Sequence, residues 1–240
     1  MNASLAITVD VGGVIGTYTG PSAGEVLATI ADAPANAAEI DRDFFSVAPT
    51  VTDELRELAC RRLLIAPDAW PADWTGTWTA GFTPYPGAID ALARLATLGP
   101  IAALPNLSVL GGRERMGQLE QHCGEHLTAI CPSFELRARK PEFLCWTRTA
   151  DRLGATVADL VHIGDRIPED ILGALYAGCR AAILANTREV TVPDHLRAHP
   201  RVFVVPDLPA AADLLTELVL TESMPRSDVD GPGVLPVFQT

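Results

Sequence analysis

Two apolar runs in this chain end on a carboxylate. Leu5-Ala6-Ile7-Thr8-Val9 leads into Asp10 and the pair Gly12-Gly13; Leu160-Val161-His162-Ile163 leads into Gly164-Asp165, with Asp170 a little further on. Between them in the chain, in Arg139-Lys140-Pro141, stands the one lysine among 18 basic residues. Taken alone Lys140 could be a leftover surface lysine, but an ammonium kept in an otherwise all-arginine chain suits a task for a compact point charge rather than a planar fork. A strand-end carboxylate can act as a nucleophile, and two carboxylates can hold a hard divalent cation through oxygen. An ammonium beside them can cancel anionic charge. Together they suit phosphoryl transfer, in which the protein mainly positions groups and neutralises charge.

Such groups work only if strands deliver them to one edge. The run at residues 5–9 has the unbroken apolar character of a strand buried on both faces of a parallel sheet, and Gly12-Gly13 lets the chain turn and approach a ligand closely. After Pro84-Tyr85-Pro86-Gly87, helix and strand alternate. Helices are predicted over 88–98, 113–123, 141–153, 169–177, around Asp194 and over 210–220. Strands are predicted over 101–104, 127–131, 160–163, 181–184 and 202–205. Alternation of this kind implies a parallel sheet with crossover helices, whose ligands sit beyond the carboxyl ends of the strands.

Residues between Pro21 and Phe82 break that rhythm. Ser22-Ala23-Gly24-Glu25 has capping-box spacing before Val26, Leu27 and Ile30, and a helix is predicted from Thr52 or Asp53 to Leu64. Trp70, Trp74 and Trp78 recur every four residues, as on one helical face. They suit the core of a small bundle or, alternatively, an aromatic platform for substrate. The fold class is therefore α/β, a Rossmann-like parallel sheet with a small all-helical cap inserted after the first strand. The predicted division is 1–16 with 84–222 as core, 17–83 as cap, and 223–240 as a mobile or docked tail.

Composition excludes other classes. A net charge of −12 over 240 residues argues against nucleic acid and anionic membranes as partners. Five scattered cysteines without paired spacing indicate reduced thiols rather than a disulfide framework or zinc site. The start of the chain lacks a signal-peptide pattern and no apolar run is long enough to span a bilayer, so the expectation is a cytoplasmic protein. His162 reads as a sheet-packing residue. His195 and His199, four apart, lack acidic or cysteine partners and read as solvated.

In this order the segments resemble the haloacid dehalogenase superfamily over about residues 5 to 220. Val9-Asp10-Val11-Gly12-Gly13-Val14-Ile15 resembles its first motif, Leu104-Pro105-Asn106 the second, Lys140-Pro141 the third, and Gly164-Asp165 with Asp170 the fourth. The resemblance implies a Mg²⁺-dependent phosphatase of a small phosphorylated substrate, working through an aspartyl phosphate on Asp10. It implies Mg²⁺ on Asp10, the Gly12 carbonyl and Asp165. Gly12, Gly13, Asn106 and Lys140 would bind phosphate, and Asp170 would orient Lys140.

Two positions depart from the family pattern. Gly12 stands where a second Asp usually serves as general acid and base, and Pro105 where a hydroxyl residue usually precedes the Asn. Ser108 is a candidate replacement hydroxyl, or else a helix cap. Gly at the first position resembles members akin to sugar-phosphate phosphatases. The competing expectations are a catalytically weak or inactive ligand- or partner-binding relative, and a 2-haloacid dehalogenase, for which Arg42 falls near the halide-binding arginine. A phosphonoacetaldehyde hydrolase needs a cap lysine that residues 17–84 lack.

Overall fold

Residues 5–71, 74 and 81–221 are described in the computed structural model. In chain order they form β1 (Ala6–Val9), β2 (Gly16–Tyr18), α1 (Ala23–Ile30), α2 (Ala37–Ile40), α3 (Asp53–Leu63), β3 (Phe82–Pro84), α4 (Ala88–Ala96), β4 (Ile101–Ala103) and α5 (Val109–Cys123). There follow β5 (Ala129–Ile130), α6 (Ser133–Leu136), α7 (Phe143–Arg152), β6 (Leu160–Gly164), α8 (Gly173–Ala177), β7 (Ala181–Ala185), α9 (Asp194–Arg197), β8 (Val202–Val205) and α10 (Leu208–Leu220).

Six parallel strands build one sheet in the order β5-β4-β1-β6-β7-β8. Side chains alternate across it, as the strand period requires. Ile7, Val9, Ile101, Val161 and Ile163 pack on one face with Leu92 and Leu95 of α4 and Leu208 and Leu215 of α10. Ala6, Ala102, Leu160 and Ala182 pack on the other with Cys145 and Trp146 of α7 and Ala174 of α8. Both faces are therefore covered, which explains why these strands read as continuous apolar runs.

Between β2 and β3 the chain forms short helices with a core of their own, including Leu27, Ile40, Phe45, Leu63 and Trp70. The Ser22–Glu25 capping box starts α1, and Thr52 caps α3, whose first turn holds Asp53 and Glu54 and whose last holds Arg61 and Arg62. That charge order matches the helix dipole. β2 and β3 pair antiparallel at the base of this insertion. The sequence carried no expectation of this two-stranded pair, whose strands are three residues each.

Several predicted bounds move. No helix runs through the tryptophans as far as they are described: Trp70 is extended and stacks on Phe45 at 6.0 Å, with Trp74 edge-on to it at 5.3 Å. Trp78 and the tail from 223 lie outside the described residues. The helix predicted from 113 begins at Val109 and kinks at Leu110 and Gly111. The strand predicted over 127–131 shrinks to two residues. The helix predicted over 169–177 is a wide π-type turn, Ile167–Leu172, running into α8. All five cysteines are buried free thiols, and no described helix is long and apolar enough to cross a membrane.

Candidate active site

Because all six strands run parallel, their carboxyl ends share one edge. β1 lies between β4 and β6, so Asp10, Pro105-Asn106 and Gly164-Asp165 leave adjacent strands side by side. The Asp10 N–H continues the ladder by donating to the Ile163 carbonyl at 2.8 Å. The turn after Asp10 needs glycine at one of its two positions. Gly13 has φ +89°, and a Cβ there would collide with the Asp165 carboxylate, whereas a Cβ on Gly12 would meet nothing within 4 Å. The sequence had assigned the tight turn to both glycines; the geometry requires it of Gly13.

Lys140 is 2% exposed, and its Nζ donates to Asp10 Oδ1 at 2.7 Å and to Asp170 Oδ1 at 2.6 Å. It is therefore not a surface lysine. Asp170 collects more: its Oδ2 accepts the backbone N–H of Asp165 at 3.1 Å and of Arg166 at 2.9 Å. The π-type turn makes this possible by folding Asp170 back over the residues that follow β6, a use of such turns common at functional sites. Gly164 must be glycine for the same reason, since a Cβ there would strike the Asp170 carboxyl group.

His162 completes the buried side. Burial lowers its pKa and keeps the ring neutral. Its Nδ1 lies 2.9 Å from Thr8 Oγ1 and its Nε2 3.2 Å from Asp170 Oδ1. With the Thr8 hydroxyl donating to Nδ1, Nε2–H donates to Asp170. His162 packs in the sheet as expected, edge-on to Trp146 at 4.8 Å, but it also fixes a site carboxylate, which its apolar sequence context concealed.

One ammonium thus serves two buried carboxylates unequally. Burial alone would raise the pKa of Asp170, but Lys140 and the His162 hydrogen bond outweigh it and hold the group well below the usual carboxylate range. Asp10, with fewer donors, is pushed up to about 6 by burial despite Lys140. Lys140 is held well above its ordinary value, the attraction of Asp10 and Asp170 outweighing burial.

Asn106 sits beside Lys140 in a different posture from the expected one. Its Nδ2 donates to the Lys140 carbonyl at 3.0 Å and its Oδ1 accepts the Lys140 N–H at 2.9 Å. Its amide clamps the backbone that carries the ammonium. Ser108 is the N-cap of α5, its Oγ accepting from Leu110 N–H at 3.1 Å, so it is engaged as a helix cap. Arg42 is exposed and paired with Asp43 at 2.6 Å. His199 Nδ1 accepts the Arg201 N–H at 3.2 Å.

The other side of the site holds a residue the sequence analysis missed. Arg188, on the loop after β7, donates from Nε to Asp165 Oδ2. No motif marks it; the available signal was its place three residues beyond an apolar strand on the same sheet edge. Oδ1 of Asp165 is buried without a hydrogen-bond partner, and burial raises the pKa of this carboxyl although Arg188 opposes the shift. Asp10, Asp165 and Asp170 each present an oxygen within 4.8 Å of the others. An orphaned carboxylate oxygen in an all-oxygen cluster fits a hard cation such as Mg²⁺. Beside it opens a cavity of about 1120 Å³, lined in part by Gly12, Gly13, Tyr18, Tyr85, Arg115 and Arg188. Its aromatic walls are tyrosines; Trp70 belongs to the core of the insertion.

A parallel sheet with helices inserted after its first strand and acids gathered at its carboxyl edge is the haloacid dehalogenase-like (HAD-like) architecture. Solved structures of that class superpose along nearly the whole chain. A 2-haloacid dehalogenase from Pseudomonas syringae pv. tomato has a TM-score of 0.59 at 19% identity, covering 89% of this chain and 99% of that one. A HAD phosphatase from Thermococcus onnurineus has a TM-score of 0.53 at 18% identity, covering 92% and 99%. The Bacillus subtilis protein YfnB, whose structure holds magnesium, has a TM-score of 0.56 at 15% identity, covering 90% and 100%. A search of curated proteins found no match. Residues 137–211, which include Lys140 and end within the first turns of α10, match the HAD-hydrolase-like family model, and the fold of the chain is HAD-like.

Proposed function

We propose that this protein is a hydrolase, a Mg²⁺-dependent phosphatase of a small phosphorylated metabolite, acting through an aspartyl phosphate on Asp10. The observation that carries the proposal is the division of labour among three carboxylates. Asp170 is fully committed to Lys140, His162 and backbone N–H groups; Asp10 is held through one oxygen; Asp165 keeps an oxygen without a partner.

In this proposal Asp10 attacks phosphorus, forming a carboxyl O–P bond as the P–O bond to the leaving group breaks. Lys140 steadies the attacking carboxylate and offsets the charge of the phosphoryl oxygens. Asp170 and His162 hold Lys140 in place, and Asn106 fixes its backbone. Asp10, Asp165 and the Gly12 carbonyl would hold Mg²⁺, which supplies positive charge against the phosphoryl group. Water then attacks phosphorus, releasing inorganic phosphate and restoring Asp10.

The leaving oxygen must find a proton, and Gly12 offers none. The favoured substrates are therefore those with a stabilised leaving oxygen, such as sugar 1-phosphates, acyl phosphates or phenolic phosphates. Gly12→Asp is a practical test because a side chain there meets open space. It should raise rates on alkyl phosphates more than on aryl or anomeric ones, within the ~10²- to 10⁴-fold range of general acid catalysis. A wild-type rate independent of leaving-group pKa would show that another group supplies the proton.

One observation favours a second reading. Arg188 gives Asp165 a counter-ion from within the chain, as suits a dehalogenase in which Asp10 displaces halide from a 2-haloacid. Arg42 gives this reading no support, since it is engaged by Asp43 at the surface. Turnover of phosphate esters that stops in chelator supports the phosphatase; release of halide from 2-haloacids in chelator supports the alternative.

A further inference from the structure

We propose that Arg188 makes cation and anion binding at this site interdependent. With no anion present its guanidinium occupies Asp165 and opposes a divalent cation; an incoming phosphoryl group draws the guanidinium away, and the cation then takes the carboxylate. The inference rests on the cation site of the proposed function and concerns how that site is filled.

The loop that carries Arg188 is tied down by hydrogen bonds, while its side chain reaches into partly open space. Thr187 Oγ1 donates to the Gly13 carbonyl at 2.7 Å, tying the loop to the turn after Asp10. Asn186 bonds Val190 in both directions, Nδ2 to the carbonyl at 3.2 Å and Oδ1 from the N–H at 2.9 Å. The Arg188 side chain is 47% exposed and lines the cavity beside the site. One guanidinium nitrogen lies 3.4 Å from where a Cβ on Gly13 would stand, so the guanidinium rests against the turn that follows Asp10.

The carboxylates have different counter-ions. Asp10 and Asp170 share a buried ammonium that has nowhere to go. Asp165 has a half-exposed guanidinium on Oδ2 and nothing on Oδ1. A divalent cation on Oδ1 would lie close to that guanidinium, and like charges at such separation repel strongly where water is scarce. A phosphoryl group offers the guanidinium a paired acceptor that a single Nε contact to a carboxylate does not. If the anion relieves the repulsion, each ligand must strengthen the other by the same factor.

Calorimetric titration of Mg²⁺ into the full chain, with and without inorganic phosphate, reads this coupling without turnover. In wild type, phosphate should tighten Mg²⁺ binding by roughly tenfold or more, within the usual range of such couplings. Arg188→Gln should bind Mg²⁺ alone about tenfold more tightly than wild type and lose most of the enhancement by phosphate. Arg188→Lys, which keeps the charge, should retain much of the coupling. Unchanged Mg²⁺ affinity and coupling in Arg188→Gln would overturn the inference alone, and weaker Mg²⁺ binding would do the same by making Arg188 an orienting group for Asp165. Absence of Mg²⁺ binding in both wild type and Arg188→Gln would overturn the cation site and the inference together.

Discussion

Asp170 and Asp165 lie on one loop beyond β6, yet their surroundings are opposite. Asp170 is buried with an ammonium, a neutral imidazole and two backbone N–H groups. Asp165 is buried as well, but its one partner is a partly exposed guanidinium that lines the cavity, and one of its oxygens is unserved. A buried charge whose bonds are all made is costly to disturb and cannot easily exchange partners. A carboxylate with an open oxygen and a half-exposed partner can. The wall around Lys140 is thus built for fixed geometry and the wall around Arg188 for exchange, and both meet at Asp10.

Substitutions on the two walls should separate them, with the largest effect at Asp10, where the walls meet. Asp10→Asn should lower turnover of phosphate esters by on the order of 10⁴-fold or more, as loss of a nucleophile does elsewhere, while circular dichroism shows the fold retained. On the buried wall, Asp170→Asn should cost about 3–5 kcal/mol in urea unfolding, because it leaves a buried charge short of its partner. On the open wall, Arg188→Gln should cost clearly less, because the guanidinium it removes is 47% exposed and its attraction is partly screened by water, even though Asp165 loses its partner. Equal losses in these two variants would erase the distinction.

A smaller effect comes from pH. The Asp10 carboxyl rises from 3.8 to about 6 on folding, so between those values the folded chain binds more protons than the unfolded one. Its stabilising contribution is present below 3.8 and lost as pH rises through about 6. Asp10→Asn cannot ionise. In chelator, its stability relative to wild type should rise across that window by about 1–3 kcal/mol, as thermal unfolding at a series of pH values would report.

The fixed wall was largely legible in the sequence and the exchanging wall was not. Strand ends carrying Asp10 and Asp165 announce themselves through buried apolar runs, and a single lysine stands out from an all-arginine background. Lys140 indeed joins Asp10 to Asp170. His162 was hidden because a strand position gives no sign of what its ring will reach across a sheet. Asn106 was found, but its direction depends on how the Lys140 backbone passes it. Arg188 is one of many arginines, and only the parallel order of the strands places its loop beside Asp165. In the insertion, α1 and α3 were visible from caps and periodicity. The β2–β3 pair was too short to carry a pattern, and the regular spacing of Trp70 and Trp74 did not require a helix at Trp70, which is extended.

The central claim is that Asp10 carries the phosphoryl group. The most direct measurement is acid quenching of wild-type protein during turnover of an aryl phosphate in Mg²⁺, followed by mass spectrometry of its peptides. The account predicts phosphate on the peptide containing Asp10, absent in Asp10→Asn and in chelator. Sustained turnover with that peptide unmodified under conditions that preserve acyl phosphates, or with phosphate on another residue, would contradict it.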